Sequence, residues 1–563
     1  MFKFKKINRL WNDFSIKEKL MAFLFLMLII ISLIKIISWT LDKITVWKPV
    51  PGGVLNYGTW ESPKTLNPII SQNNDAEQEL INMVYSGIIE EDGQGGFENN
   101  LAEDIIINES RTVYEIYLRD NVYFHDGVKL TADDVVFTMN TIKNYDYKSP
   151  YFSLFKDTKV EKLGELMIKI TVPVSQSNFY NYLGFKIMPK HLWESVTPEQ
   201  FSVHELNIKP IGSGPYMISK VEKNKVGNII NMTLKRNKRY FKNSFIEKIN
   251  VKFFANSEEA FAAFVKGNID MIKELTPYQK DLIHQKNRIR LNHLKLPRYY
   301  AIFLNQKNPL LTNRTLNEIL DMAVNKQAII ETIFFGDAEL LNAPIASSFI
   351  GYHEKLNKNI YNLELAKSKL KDLGYVDKDG DGVLEKWNGK TKTNLEFSLL
   401  LPSNNELIHL ADMVKKDWEQ LGAKINLQIV PLQELYKDYL KNRNYDALLF
   451  GETYTINPDL YYFWHSNQTS DLGLNLSVYK NSEVDAILEI NHTTSDKAQI
   501  TKNLIELQEL IYSDRPAIFL NSPDYISAYY KKLKIDDNQI YNSFSNSLAN
   551  IDKWYINQRR SFK

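Results

Sequence analysis

The 563-residue chain contains no cysteine. That excludes disulfides, thiolate metal sites, a cysteine nucleophile and a lipidated N-terminal cysteine. Motifs of catalysis are missing as well: there is no G-x-S-x-G, no H-E-x-x-H and no phosphate-binding G-x-x-x-x-G-K-[ST], and the nine histidines form no close ligand pair. No short repeat and no low-complexity tract interrupts the sequence. Excess charge of one sign is also lacking, since the formal net is only +2. Residues 1–50 hold nine Lys/Arg against three Asp/Glu, which leaves 60 basic and 64 acidic residues in the remainder, a net of −4. A near-neutral body is a poor match to nucleic acid.

What is present is an ordinary globular composition, 44% hydrophobic and 24% charged, rich in Tyr (31) and Phe (29). At this length two or three lobes are expected. Residues 20–34, LMAFLFLMLIIISLI, form an apolar run that Ile36, Ile37 and Trp39 extend past Lys35 to bilayer-spanning length. Lys3, Lys5, Lys6, Arg9, Lys17 and Lys19 precede it and predict a cytoplasmic N-terminus. An uncleaved anchor and a cleaved signal peptide both fit such a run. The absence of an A-x-A-like pair after Ile34 favours the anchor. In either case the chain from about residue 50 lies outside the cytoplasm.

The densest local pattern is residues 111–138, RTVYEIYLRDNVYFHDGVKLTADDVVFT. Tyr114, Ile116 and Leu118 alternate with Val113, Glu115 and Tyr117, the period of a half-buried strand. His125-Asp126-Gly127 predicts a tight turn, and Thr131 with Asp133 and Asp134 predicts a helix start. His125 beside Asp126 is readable as a general-base pair, but the turn accounts for both residues. Downstream, Gly212 and Gly214 of IGSGPY are read as positions needing dihedrals closed to other residues. No Lys-Ser/Thr follows them, so a phosphate loop is disfavoured. Asp377, Asp379 and Asp381 stand at calcium-loop positions one, three and five, with Gly382 at six and Glu385 at nine. Position twelve is Asn388, not glutamate, so 377–385 reads either as an acidic surface turn or as a weak calcium site. The segment GETYTINPDLYYFWH, 451–465, reads as a strand end, a loop and a helix start at Asn457-Pro458. Such strand ends are where open α/β sheets present ligand-binding groups. Tyr461, Phe463 and Trp464 read equally well as core.

LRDNVYFHDGVKLTADDVVFT resembles the signature of family 5 extracytoplasmic solute-binding proteins, the peptide/nickel-type components of ABC importers. In the order that the family shows, L-N-P at 66–68, IMPKH at 187–191, IGSGPY at 211–216, LKRNKRYF at 234–241 and AIFLN at 301–305 extend the resemblance. It implies an α/β, type II periplasmic-binding-protein fold: two hinged lobes, a small extra subdomain and an N-terminal transmembrane helix. The corresponding division is a basic tail at 1–19, an anchor at 20–41 and a linker at 42–53. Lobe I then takes 54–88, 206–298 and 511–563, with the extra subdomain at 89–205 and lobe II at 299–510.

Ligand would lie between the lobes. The expected contacts are Tyr57, Trp60, Glu61, Asn305, Glu452, Tyr454, Asn457, Trp464, His465 and Asn475. Peptide-binding relatives place an Asp in the loop at 451–458. Here that loop is shorter, and Glu452 is the residue expected to supply the charge for a ligand's ammonium. The implied protein is a non-enzymatic, monomeric receptor for an oligopeptide or dipeptide, working with an ABC permease and ATPase and needing no cofactor beyond a possible structural calcium. A nickel chelate or glycan as ligand, a membrane-tethered sensor, and an extracytoplasmic enzyme stand as alternatives.

Overall fold

Half-buried and buried side chains alternate along the strand Val113–Leu118, and Tyr114, Ile116 and Leu118 enter a core. The chain then turns through Gly127, whose φ of 94° is the left-handed region that suits glycine. The helix Ala132–Lys143 follows, with the Thr131 amide donating to Asp134 at 2.9 Å. In the computed structural model, which describes residues 15–562 apart from 61, 72–73, 175–178, 284–285, 471–472, 495, 536–539 and 542, this unit is the hub of a subdomain. A four-stranded antiparallel sheet, in the order Ala102–Ile107, Val113–Leu118, Met167–Thr171, Lys159–Lys162, shares one core with that helix. Asp134 also accepts the Lys190 amide at 2.9 Å, and Thr138 the Met188 amide at 3.0 Å, which docks the IMPKH segment on the helix.

The HDG turn meets the IGSGPY turn directly. The His125 amide donates to Gly212 O at 2.8 Å, and its ring lies between the Gly212 amide (3.3 Å) and Gly214 O (3.1 Å). Burial pushes the His125 imidazole down to about 4, so it is neutral and serves this junction instead of any proton transfer. The glycines differ in role from the sequence expectation. Neither has a left-handed φ. A β-carbon on Gly212 would stand 2.1 Å from Val84 O, and one on Gly214 2.6 Å from the Val84 carbonyl carbon. Close backbone approach to the end of the helix Asp75–Val84, not dihedral freedom, demands them.

Two large sheets build the body. The first has seven strands in the order Ile289–Leu294, Tyr525–Tyr530, Met271–Ile272, Val54–Thr59, Lys248–Phe253, Ile229–Arg236, Tyr216–Lys223. The second has six: Ala338–Leu340, Ala517–Pro523, Arg298–Leu304, Ala447–Thr453, Glu396–Pro402, Lys424–Val430. Alternate residues of Arg298–Leu304 feed opposite layers, Ile302 and Leu304 one core, Ala301 and Phe303 the other. The chain crosses between the sheets at 295–297 and returns at Asp524. The sequence reading placed the return earlier, near 511. Ala517–Pro523 is buried along its whole length, and a strand covered on both faces has no polarity pattern to show which sheet owns it.

The helix Ile16–Ile44 is long and apolar enough to cross a membrane, with mean hydropathy 2.9 in its most apolar stretch and none of that stretch buried. Residues 1–14 lie outside the described structure. The expected linker at 42–53 contains the strand Thr45–Pro49, which pairs antiparallel with the C-terminal strand Gln558–Phe562. Arg560 fastens this ribbon, 2.6 Å from Asp42 and 5.0 Å from the Trp47 ring centre.

Candidate functional site: a groove between the lobes

One segment of the second lobe, 450–459, lines three cavities in succession. Phe450, Gly451, Glu452 and Thr453 border a cavity of about 430 Å³ with Arg298, Tyr300, Asn404, Leu432 and Tyr436. Thr455 closes one of about 330 Å³ whose other walls belong to the first lobe and its subdomain. Asn457, Pro458 and Asp459 border a third, of about 370 Å³, against Phe97, Arg111 and Asn181. The last two share Phe97 and Asn181, so they adjoin. At the other end, Arg298, Tyr300, Asn404 and Pro523 connect the first cavity to one of about 680 Å³, walled by Glu274–Tyr278 of the first lobe and by 332–335 and 404–406 of the second. A further depression of about 750 Å³ is lined by the first lobe alone. The cavities near the crossings and around Thr455–Asp459 are thus bounded by both lobes, and the one between them along the segment is walled by the second lobe alone.

Its charges are unevenly committed. Lys242 is ion-paired with Glu90 and lies 3.3 Å from Glu98. Glu91 accepts from the Asn546 side chain at 2.7 Å. Burial, reinforced by Glu90, pushes the nearby Asp552 up to about 7. Lys186 stands apart. It lines the Thr455 cavity beside Glu90 and Glu91, and among the described residues it has no ion-pair partner. Burial holds its ammonium below the usual range, against the opposing pull of both glutamates. In the last cavity Asp459 is bound to His492 at 2.7 Å, and that bond raises the imidazole. Near the crossings burial raises Glu406, which takes a bond from Tyr300.

The expected contact residues divide sharply. Asn457 and Glu452 border the groove. Glu452, however, is not a ready countercharge: it is 6% exposed, accepts from the Tyr299 hydroxyl, and burial pushes its carboxyl up to about 8. Tyr454 is core; its hydroxyl accepts the Ala346 amide at 3.0 Å and its ring packs on Phe349. Trp464 is sealed among Phe303, Tyr479 and Phe519. His465 ends the short helix Tyr461–Trp464, its Nδ1 accepting the Asn467 amide at 3.1 Å. That helix starts after Leu460, not at Asn457-Pro458. Asn475 is wholly buried and spends its amide on Tyr479 O (2.9 Å) and His465 O (3.2 Å). Asn305 bonds Arg443 O and Tyr445 O at 3.0 and 2.7 Å. Tyr57 donates to Glu79 at 2.8 Å inside the first lobe, and Trp60 packs on a satellite core near Phe264. Glu61 lies outside the described residues. Tyr57, Tyr454, Asn305 and Asn475 are buried and spend their side-chain polar groups on partners inside the protein, which holds loops in place.

Lys186 was not anticipated. The signal available was a lysine inside the apolar run LGFKIM, where a charge needs a reason. In the acidic loop, Asp377, Asp379 and Glu385 converge, with carboxylate oxygens within 4.8 Å of one another. Asp381 does not join them; it accepts the Val383 amide at 2.8 Å.

Comparison with known proteins agrees with this architecture. The family of bacterial extracellular solute-binding proteins, family 5 (Middle), matches residues 96–473. The oligopeptide-binding protein AppA of Bacillus subtilis (strain 168) is 30% identical over 529 residues, covering 91% of this chain and 93% of that one. Its solved structure, in complex with a nonapeptide, superposes with a TM-score of 0.69 at 28% identity, over 91% of this chain and 100% of that one. NikZ from Campylobacter jejuni in complex with Ni(L-His) gives a TM-score of 0.68 at 25% identity, over 89% and 99%. The fold is thus the type II periplasmic-binding architecture, and the protein is a solute binder and not an enzyme. The chain belongs to the bacterial extracellular solute-binding proteins of family 5.

Proposed function

We propose that the protein is the membrane-anchored, extracytoplasmic receptor of an ABC importer, which captures an oligopeptide or dipeptide between its lobes and delivers it to a permease and ATPase. The observation that carries this reading is the succession of cavities along 450–459. An extended chain with side chains projecting in turn needs such a row of pockets, whereas a compact chelate needs one. Similarity to a protein solved with a nonapeptide supports it. The 29-residue helix Ile16–Ile44, about 43 Å long at 1.5 Å per residue, exceeds a hydrocarbon core of about 30 Å and supplies the anchor.

Lys186 is assigned to the ligand's carboxylate. A half-buried ammonium without an ion pair gains most from an anion brought into the same low-dielectric space. Peptides recovered with the purified protein are identified by mass spectrometry and their binding measured by calorimetry. For wild type, a free C-terminal carboxylate outbinds its amide, and Lys186→Met abolishes that preference while weakening the free acid by about 2 kcal/mol, roughly thirtyfold. Equal loss for acid and amide would remove Lys186 from this role, and recovery of a metal chelate alone would remove the peptide.

A further inference from the structure

The carboxylates gathered at 377–385 have no part in the groove. We propose that this loop is a calcium site, held by Asp377, Asp379 and Glu385, which pins a small sheet to the second lobe. Two oxygens on one Ca²⁺, each at about 2.3–2.6 Å, can be no more than about 5 Å apart, and here three carboxylates meet that condition within 4.8 Å. Asp377 is already oriented by the loop, its oxygens accepting the Gly380 and Gly382 amides at 2.7 and 3.0 Å.

Glu385 supplies the independent sign of a missing ligand. It is fully buried; Oε1 accepts the Lys378 amide at 3.0 Å and the Trp387 indole N–H at 3.3 Å, but Oε2, also buried, has no partner among the described residues. A buried carboxylate oxygen left bare beside two further carboxylates is unfavourable unless a cation meets it. Lys392 is ion-paired with Asp379, and Glu385 and Asp381 also act on its ammonium from farther off. A divalent ion would satisfy all three groups and displace the Lys392 ammonium. The donor set is all oxygen with no histidine or cysteine, which selects a hard ion, and a short glycine-bearing loop suits Ca²⁺ better than the strict octahedron of Mg²⁺. Water and loop carbonyls complete the shell. The site is placed to stiffen the sheet Tyr375–Val376, Glu385–Asn388, Thr391–Asn394, because Leu384 bonds Gly422 O at 2.8 Å and packs on that glycine at the end of the helix Asn405–Leu421. With three carboxylates and no bidentate twelfth residue, a Kd on the order of 10⁻⁴–10⁻³ M is expected, as in other extracellular modules.

Trp387 makes the test direct. In the full chain in detergent, Tb³⁺ should show tryptophan-sensitised emission that Trp387→Phe and Asp377→Asn abolish and Ca²⁺, but not equal Mg²⁺, competes away. Millimolar Ca²⁺ should raise the Tm. Because Asp377 ties the loop through two glycine amides, Asp379→Asn, whose carboxylate meets the Lys392 ammonium and the Asp381 amide, is the milder probe of the ion: its Ca²⁺ affinity falls roughly tenfold or more. Lys392→Met, which removes the competing ammonium, tightens Ca²⁺ binding severalfold. An ion affinity unchanged in Asp379→Asn, emission that survives Trp387→Phe, or a Tm indifferent to Ca²⁺ overturns the proposal and leaves an acidic turn neutralised by lysine.

Discussion

Glu452 shows how a single burial decides a residue's chemistry. In the ladder it stands opposite Tyr299, whose hydroxyl donates to it. Burial raises its carboxyl from the usual range near 4.5 to about 8, although the Tyr299 bond and Arg443 pull the other way. The neutral acid is therefore the form the fold prefers. Its contribution is complete below about pH 4.5 and is lost as pH rises through about 8. Glu452→Gln stays neutral and keeps an acceptor for Tyr299. By urea unfolding, the variant should match wild type near pH 5 and exceed it by about 1–3 kcal/mol near pH 9. Parallel loss of stability in both proteins would show that Glu452 ionises freely. From sequence alone Glu452 was the expected partner of a ligand ammonium, because a strand-end acid in a shortened loop suggests one. What the sequence does not contain is the depth of the residue. Tyr454, Trp464, Asn305 and Asn475 were misplaced for the same reason: polar and aromatic side chains in irregular segments serve loop bonding and ligand binding alike, and only their partners tell the two apart.

At the scale of elements, the strand–turn–helix over 113–143 was legible because its causes are local. Period-two burial, a glycine with positive φ and acids in a first helical turn all lie within a few residues of what they explain. Its docking was not legible, since the Gly212 turn lies more than eighty positions downstream. The junction predicts its own fragility. Gly212→Ala places a methyl against Val84 O, a main-chain atom that cannot swing aside. The cost should be about 1–3 kcal/mol or more, read as a lower denaturant midpoint. Gly227, by contrast, has nothing within 4 Å of an added β-carbon, so Gly227→Ala pays only for its φ of 91° and should be the milder change. If the two variants proved equally stable, close packing would not be the reason for Gly212. The ribbon Thr45–Pro49 with Gln558–Phe562 is the extreme non-local case, pairing strands more than 500 positions apart and tying the apolar helix Ile16–Ile44 to the body.

For the whole molecule, the apolar N-terminal run was plain from hydropathy, and the division into lobes came from family resemblance, not periodicity. How the lobes are held at their crossings became visible only in three dimensions. Lys280 of the first lobe is ion-paired with Asp337 of the second, both mostly buried. Arg298, just after one crossing, donates to Pro523 O at the other at 3.2 Å. Burial pushes the Asp524 carboxyl up, but His293 at 3.3 Å and the ion pair with Lys295 outweigh it and hold it below the usual range. Asp524 thus stays ionised as an anchor for the first-lobe side of the hinge. The Lys280–Asp337 pair, in contrast, spans the lobes and favours the arrangement in which the groove is bounded on both sides. Lys280 is not among the groove-lining residues, so Lys280→Met should act on the hinge without touching bound peptide. A partly exposed pair of this kind is worth about 1 kcal/mol, which shifts an opening equilibrium and the apparent peptide affinity a few-fold. Solution scattering should then give a larger radius of gyration for ligand-free Lys280→Met than for wild type, with the two converging at saturating peptide. Asp337 also lies 3.7 Å from His293 and borders the cavity, so adding Asp337→Asn to Lys280→Met should change the radius further only by what that second contact contributes. A radius that neither peptide nor Lys280→Met alters would describe one rigid body, and capture by closure would have to be abandoned.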